Sequence, residues 1–330
     1  MTSLISPHPV VAVLGSANMD LAVPVPHLPR LGETLIGGEM ALNPGGKGAN
    51  QAVAAQRATP PGGTCRFIGR IGDDPFGNRM HAFLTEEAVD TAALLVTPGV
   101  PTGTAVVLRD SDGDNAIVVS PGANARVTAA DVHAARDAIA TASVFAVQLE
   151  IPFDAVEAGL VLARRAGVLS ILDPAPAPQP AGEEALATLP EALWLVDIFT
   201  PNQTEAWLFT GIEITDLASA RVAGEALLRR GPKTVVLKLG ALGAAIVTRR
   251  GDEPVEFIHI PAATVPVVDT TAAGDSFTGA LATFLAEGFS IARAVRLAGI
   301  AGSLACTKAG ALASIPSRQE ILTFERAHSS

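Results

Sequence analysis

Residues 265–281 read VPVVDTTAAGDSFTGAL. An apolar run stops at Asp269, small residues follow, and an amphipathic helix is expected from about Asp275. The apolar run suits a strand. Ala272, Ala273 and Gly274 let backbone N–H groups crowd together with no bulky side chain in the way, and the helix directs its positive end at the same point. That pattern reads as an anion hole, which a phosphoryl group could approach directly. Negative charge building up in phosphoryl transfer would be stabilised there. Asp275 stands at its lip, where the natural task for a carboxylate is to accept a proton from an attacking hydroxyl. The plainer alternative is a Gly-Asp turn and helix N-cap.

The rest of the composition fits an α/β globule. At 330 residues the chain makes one large domain or two smaller ones with ample length for a buried core. Hydrophobic residues are 48% of the chain and aromatics only 4%, so the core is built from Ala, Val, Leu and Ile, as suits helices packed on a parallel sheet. A formal net charge of −10 argues against nucleic acid or an anionic membrane as main partner. Cys65 and Cys306 lie far apart in apolar surroundings and are expected as a buried, reduced pair. The opening MTSLISPHPVV has no basic n-region, no apolar run reaches the ~18 residues that cross a bilayer, and the last three residues are not a peroxisomal tripeptide. A cytoplasmic protein is expected.

Along the chain, Val10–Leu14 is an apolar run without alternation, expected as the central strand, covered on both faces. Asn18 and Asp20 follow at its carboxyl end, where open α/β sheets place ligands; they could equally cap a turn. Residues 43–50, NPGGKGAN, open a helix, with the glycines allowing close approach to a ligand and Lys47 and Asn50 held at the helix start. This is not a P-loop, because Lys47 is followed by Gly48. Strands are expected at 143–149, 168–172, 194–199 and 234–239, alternating with helices as in a parallel sheet, each ending in polar or turning residues. Among these endings are Gln148 and Glu150, Asp173, and Asn202 with Glu205 at i and i+3. The last pair suits a hydrated cation or phosphate, or a capping box. Residues 104–108 and 116–119 read as a hairpin whose acidic tip, 110–114, is a solvated turn and no calcium loop. This β-rich segment and the one at 21–43 could pair into a small sheet standing off the main domain as a lid.

Taken together, VLGSANMD, NPGGKGANQAVAA, SPGAN, QLEIP, LDPAPAP, TPNQTEA and VDTTAAGDSFTGAL occur in the order in which the ribokinase-like carbohydrate kinases carry them. From about Val10 to Pro316 the chain resembles that family. The resemblance implies a three-layer α/β/α domain with a central, mostly parallel sheet, made by residues 1–20, 44–98 and 122–330. It also implies a β-sheet lid from 21–43 and 99–121 that forms a homodimer contact. Its implied activity is ATP-dependent phosphorylation of D-ribose at O5, with kinases for 2-deoxyribose, another furanose or a nucleoside as the near alternatives. A dehydrogenase is disfavoured because no G-x-G-x-x-G follows the first strand.

Carried over by position, Asn18, Asp20, Gly46, Lys47, Asn50 and Glu150 would bind the sugar. Asp275 would be the base, and Ala272, Ala273 and Gly274 would hold the transferring phosphoryl group. Asn202 and the stretch Lys238, Leu239, Gly240, Ala241, Leu242 and Gly243 would meet ATP together with Gly274. Glu205 would act on Mg²⁺ through water. An activating K⁺ would take the Asp269 side chain, the carbonyls of Thr271, Ala305, Lys308 and Gly310, and the Ser314 hydroxyl. Two positions depart from the pattern. Gly299 stands where bacterial members carry a His near adenine, and Ala309 follows Lys308 where a basic residue is frequent.

Overall fold

The computed structural model describes residues 8–110, 115–177, 189–249, 251 and 253–328. The tip 111–114, Pro178 of the LDPAPAP stretch, the first seven residues and the last two lie outside them, and so do the expectations placed there.

Among the described residues, thirteen strands form two sheets: β1 Val10–Leu14, β2 Asn18–Pro24, β3 Ala41–Gly45, β4 Thr64–Gly72, β5 Asp90–Thr97, β6 Gly103–Arg109, β7 Asn115–Ser120, β8 Val144–Gln148, β9 Leu169–Asp173, β10 Ile198–Phe199, β11 Thr234–Lys238, β12 Ala244–Thr248 and β13 Glu256–Ile260. The large sheet runs β13-β12-β11-β10-β9-β8-β1-β4-β5. From β11 to β5 every neighbour is parallel, and β12 and β13 close one edge antiparallel. Parallel strands need helical crossovers, so both faces are covered and the inner strands carry no polar alternation. Val11 to Leu14 are fully buried.

One face packs on α1 Lys47–Ala58, α8 Ala273–Ala286, α9 Ile291–Ala305 and α10 Arg318–Ala327. The other packs on α5 Phe153–Ala166, α6 Gln203–Thr210 and α7 Leu217–Leu228. The sequence punctuates these helices. Gly167 leaves α5 at φ 71°, the left-handed stop that glycine takes without strain, and a reciprocal Asn202/Glu205 capping box starts α6. The remaining α-helices among the described residues are α2 Pro75–Glu86, α3 Ala129–Ala134 and α4 Arg136–Ala140.

The small sheet has the order β3-β2-β6-β7. Its two β-rich segments do pair, through a parallel β2–β6 contact. Ile117, Val118 and Val119 on β7 and Val106 on β6 are exposed apolar side chains.

Several expectations change. Residues 265–269 are irregular, with Pro266 in the run and Val267 and Val268 exposed at 68% and 61%. Their backbone is held from outside the sheet, since the N–H groups of Val268 and Asp269 both donate to the Cys306 carbonyl. The helix begins at Ala273, earlier than Asp275. β1 is interior without being the middle strand, because six strands lie beyond it on the β8 side and two on the β4 side. The strand expected at 194–199 shrinks to Ile198–Phe199, as residues 191–195 wind into a 3₁₀ turn after Pro190. That turn buries Trp194 against Phe199 and Phe209. Asn18 and Asp20 already belong to β2 of the small sheet. Both cysteines are free, but only Cys65 is fully buried; Cys306 is half-buried beside a cavity.

Candidate active site

The carboxyl ends of β1, β8, β9 and β11 and the first turns of α1 and α8 converge on one polar cluster. Gly46 makes the entry into α1 possible. It sits at φ 88°, and a Cβ there would lie 2.8 Å from the Asn18 nitrogen. The turn places the Lys47 N–H 3.1 Å from Glu150 Oε2, which also accepts from Ser16 Oγ. One residue pair further along, Asn50 Nδ2 donates to Asp275 Oδ2 at 2.8 Å, and Gln51 Nε2 reaches Asp275 Oδ1 at 3.2 Å. Asn50 Oδ1 is buried and has no hydrogen-bond partner among the described residues. Such an acceptor costs ~1–3 kcal/mol if left unmet, and it stands beside the carboxylate predicted to act as base.

Charge in the cluster is concentrated. Burial, followed by the neighbouring carboxylates of Glu150 and Asp275, pushes Asp20 up to about 7. Burial also raises Asp275 above the ordinary carboxylate range, although Lys47 and Asn50 oppose it. Burial works against the Lys47 charge, but Asp275, Glu150 and Asp173 outweigh it and hold the ammonium above its usual value. Lys47 therefore stays cationic among acids.

At the start of α8, Ala272 takes φ 60°, a left-handed conformation uncommon for a residue with a side chain. It turns the chain so that the first helical amides face the cavity. The Ala273 N–H donates to the Thr270 carbonyl at 3.2 Å. Those of Ala272, Gly274 and Asp275 have no partner among the described residues. The cavity they face has a volume of about 860 Å³ and is lined also by Lys47, Asn202, Glu205, Lys238, Gly240, Ala241, Gly243 and Gly299. A Cβ on Gly299 would meet nothing within 4 Å, so the departure from histidine leaves an open wall.

Not every expected residue faces this space. Leu239 is buried in the core, and Leu242 is partly exposed outside the cavity lining, its carbonyl 2.7 Å from His259 Nε2. Asn18 turns its Oδ1 to Asn124 Nδ2 at 2.7 Å, beside a smaller cavity of about 330 Å³ shared with Glu150. Both oxygens of Glu205 accept from Asn202, one from its N–H and one from its Nδ2. The capping reading of that pair is thus realised, and Glu205 also lines the cavity.

The K⁺ set comes together in part. Asp269 Oδ1 accepts from the Thr271 N–H and hydroxyl, and Oδ2 from the Gly310 N–H and from Arg109 Nη1 at 3.1 Å. Burial opposes the Asp269 charge, but Arg109, Thr271 and Gly310 hold its carboxyl well below the usual range. The Ser314 hydroxyl donates to Ala311, and Lys308 closes a turn onto the Ala305 carbonyl. The groups that meet the Asp269 carboxylate are thus hydrogen-bond donors, and Arg109 supplies one positive charge to it. Among the described residues, no cluster of three His, Cys, Asp or Glu is placed to hold a metal.

Sequence reasoning placed Gln148 and Asp173 at strand ends without assigning them to the site, and missed Gln51 and Arg109. Gln51 Nε2 donates to Asp173 Oδ2 at 2.9 Å, and Gln148 Nε2 donates to Gln51 Oε1 at 2.6 Å. The polar residue ending each buried strand was the available signal. Nothing local marks Arg109.

A nine-stranded, mostly parallel sheet layered between helices, with a polar cluster at its strand ends and a small second sheet, defines the ribokinase-like fold. Residues 9–318 match the model of the pfkB family carbohydrate kinases, and the chain belongs to that family. It is 38% identical over 314 residues to the ribokinase of Haemophilus influenzae, covering 95% of this chain and 97% of that one. To the ribokinase of Mus musculus it is 40% identical over 277 residues, covering 84% and 81%. The structure of Arabidopsis thaliana ribokinase complexed with ribose and ATP superposes with a TM-score of 0.83 at 31% identity, covering 96% of this chain and 98% of that one. The protein is therefore a carbohydrate kinase. Among the described residues no helix is long and apolar enough to cross a membrane.

Proposed function

We propose that this kinase phosphorylates D-ribose at O5 with ATP, giving D-ribose 5-phosphate and ADP. The observation that carries the reading is the Asn50–Asp275 pair: one end of the Asn50 amide fixes the carboxylate, and the other is a buried acceptor awaiting a hydroxyl. Asp20, Glu150 and Lys47 supply further polar contacts for a polyol, with Gly46 keeping the approach open. Asn18 completes this set from the small sheet. Asp275 takes the proton from O5 as the O5–P bond forms, the γ-phosphorus leaves the β-bridging oxygen, and ADP departs with that electron pair. The amides of Ala272, Gly274 and Asp275 receive the charge on the transferring group. Ala273 contributes to the same turn through its carbonyl-bound N–H.

ATP would lie along Asn202, Lys238, Gly240, Ala241 and Gly243. Mg²⁺, bound to ATP and held through water near Glu205, would neutralise phosphate charge. K⁺ at Asp269, Thr271, Ala305, Lys308, Gly310 and Ser314 would brace the loop before α8. The small sheet is read as a lid that excludes water, and its exposed β7 side chains as a homodimer contact in a cytoplasmic enzyme.

The test is ADP release coupled to a reporter enzyme, with D-ribose, 2-deoxyribose or no sugar, with and without K⁺. Ribose-dependent release is expected. Turnover confined to another sugar would keep the kinase and change its substrate.

A further inference from the structure

Resting on the phosphoryl-transfer reading above, we propose that Lys238, held in place by Asp173, is a catalytic residue that contacts the transferring phosphoryl group. The expectation from sequence laid the whole KLGALG stretch along the nucleotide and gave Asp173 no role. The geometry separates Lys238 from its neighbours.

Lys238 ends β11 and Asp173 ends β9, two strands apart at the same edge of the sheet. Lys238 Nζ donates to Asp173 Oδ1 at 2.9 Å. The other Asp173 oxygen accepts from Gln51 Nε2 at 2.9 Å and from Thr278 Oγ1 at 3.1 Å, so the carboxylate cannot rotate away. The ammonium is thereby fixed over the start of α8. Its Nζ lies 3.7 Å from the point that a Cβ on Gly274 would occupy, beside amides that have no partner.

An ammonium has three donors, and among the described residues the structure gives Lys238 one hydrogen-bond acceptor. Its side chain lines the cavity shared with Gly274 and Asp275. Burial disfavours its charge, but Asp173 and Glu205 keep it protonated. A buried ion pair kept only for stability is a weak design, because desolvation consumes most of the Coulombic gain. A cation held rigidly where phosphoryl charge develops has a use for that cost. The same Gln51 amide that fixes Asp173 also reaches Asp275, so cation and base are set in register by one side chain.

The experiment compares Lys238→Met, Lys238→Arg and the neutralised pair Asp173→Asn/Lys238→Met. Each is assayed for ribose-dependent ADP release, and each is titrated calorimetrically, without sugar, with β,γ-methylene-ATP and with ADP. Where Lys238→Met does not fold, the neutralised pair decides, since it removes the Asp173 charge that the lost ammonium would otherwise leave unmatched. Expected for the pair are an unchanged melting temperature, a kcat lower by about 10²–10³ with KM for ribose within about twofold, and a roughly tenfold loss of preference for the triphosphate analogue over ADP. Lys238→Arg should recover part of the rate. A neutralised pair with wild-type nucleotide preference overturns the proposal whatever its rate, because Lys238 would then serve Asp173 alone. If the wild type phosphorylates no ribose, the substrate reading fails, and the nucleotide titrations still decide the role of Lys238.

Discussion

Arg109, the last residue of β6 in the small sheet, donates through Nη1 to Asp269 Oδ2 at 3.1 Å, across 160 positions of sequence. The ion pair ties the small sheet to the loop that precedes α8, and Asp269 is almost fully buried where it accepts the bond. The guanidinium supplies positive charge to the carboxylate proposed to hold K⁺. Arg109→Leu should therefore lower the rate in K⁺-free buffer and enlarge the stimulation by KCl relative to the wild type. Initial rates at constant ionic strength, with choline chloride replacing KCl, measure this. Identical K⁺ response curves would show that Arg109 and the cation are independent.

Asp275→Asn keeps the shape of the side chain and removes the carboxylate proposed as the base. We expect kcat to fall about 10²–10⁴-fold while calorimetry still detects ribose binding. Because burial raises the Asp275 pKa, the wild-type kcat should fall with decreasing pH, starting above the ordinary carboxylate range. A variant with wild-type turnover would remove Asp275 from the chemistry.

Asp20 gives a prediction about stability. Its folded-state pKa is about 7 against an ordinary 3.8, so the folded chain binds this proton more tightly than the unfolded one. Stability then falls as pH rises between those values, and the full penalty is present above the folded pKa. Asp20→Asn should be more stable than the wild type at pH 8, by up to about 4 kcal/mol, and the gap should shrink at pH 5. Urea unfolding at the two pH values decides; a gap independent of pH would mean that Asp20 is not strained by its charge.

Gly46→Ala tests the entry to α1. The added methyl would meet the Asn18 nitrogen at 2.8 Å and force a side chain into φ 88°. A loss of roughly 1–3 kcal/mol in urea unfolding is expected, with ribose affinity falling too because Lys47 and Asn50 shift together. A variant as stable as the wild type would show that the turn has room to relax.

Much of the site was legible because its parts are short and contiguous. NPGGKGAN and TTAAGD each carry a helix start, small residues and the polar group that follows, and each sits at the cluster as expected. The segment 265–269 was misread because apolar content alone cannot separate a strand from a loop; Pro266 and the bonds to the Cys306 carbonyl decided it. Strands β5 and β13 were missed because edge strands lack the unbroken apolar signature of the buried ones; β12, AAIVT, carries that signature and was overlooked behind the glycine-rich turn that precedes it. Asn202 and Glu205 were read as either a cap or a ligand pair, and the structure realises the cap.

The sequence by itself determined the layered α/β architecture, the family and the short segments that reach the cavity, because periodicity and glycine-rich helix starts are local properties of the chain. Only the tertiary structure decided which side chains meet: Asn50 with Asp275, Lys238 with Asp173, Arg109 with Asp269. Those partners lie 65 to 225 positions apart. Their contact is set by the order of strands in the sheet and by burial that forces each charge to find an opposite one or a hydrogen-bond donor, and no local pattern encodes either.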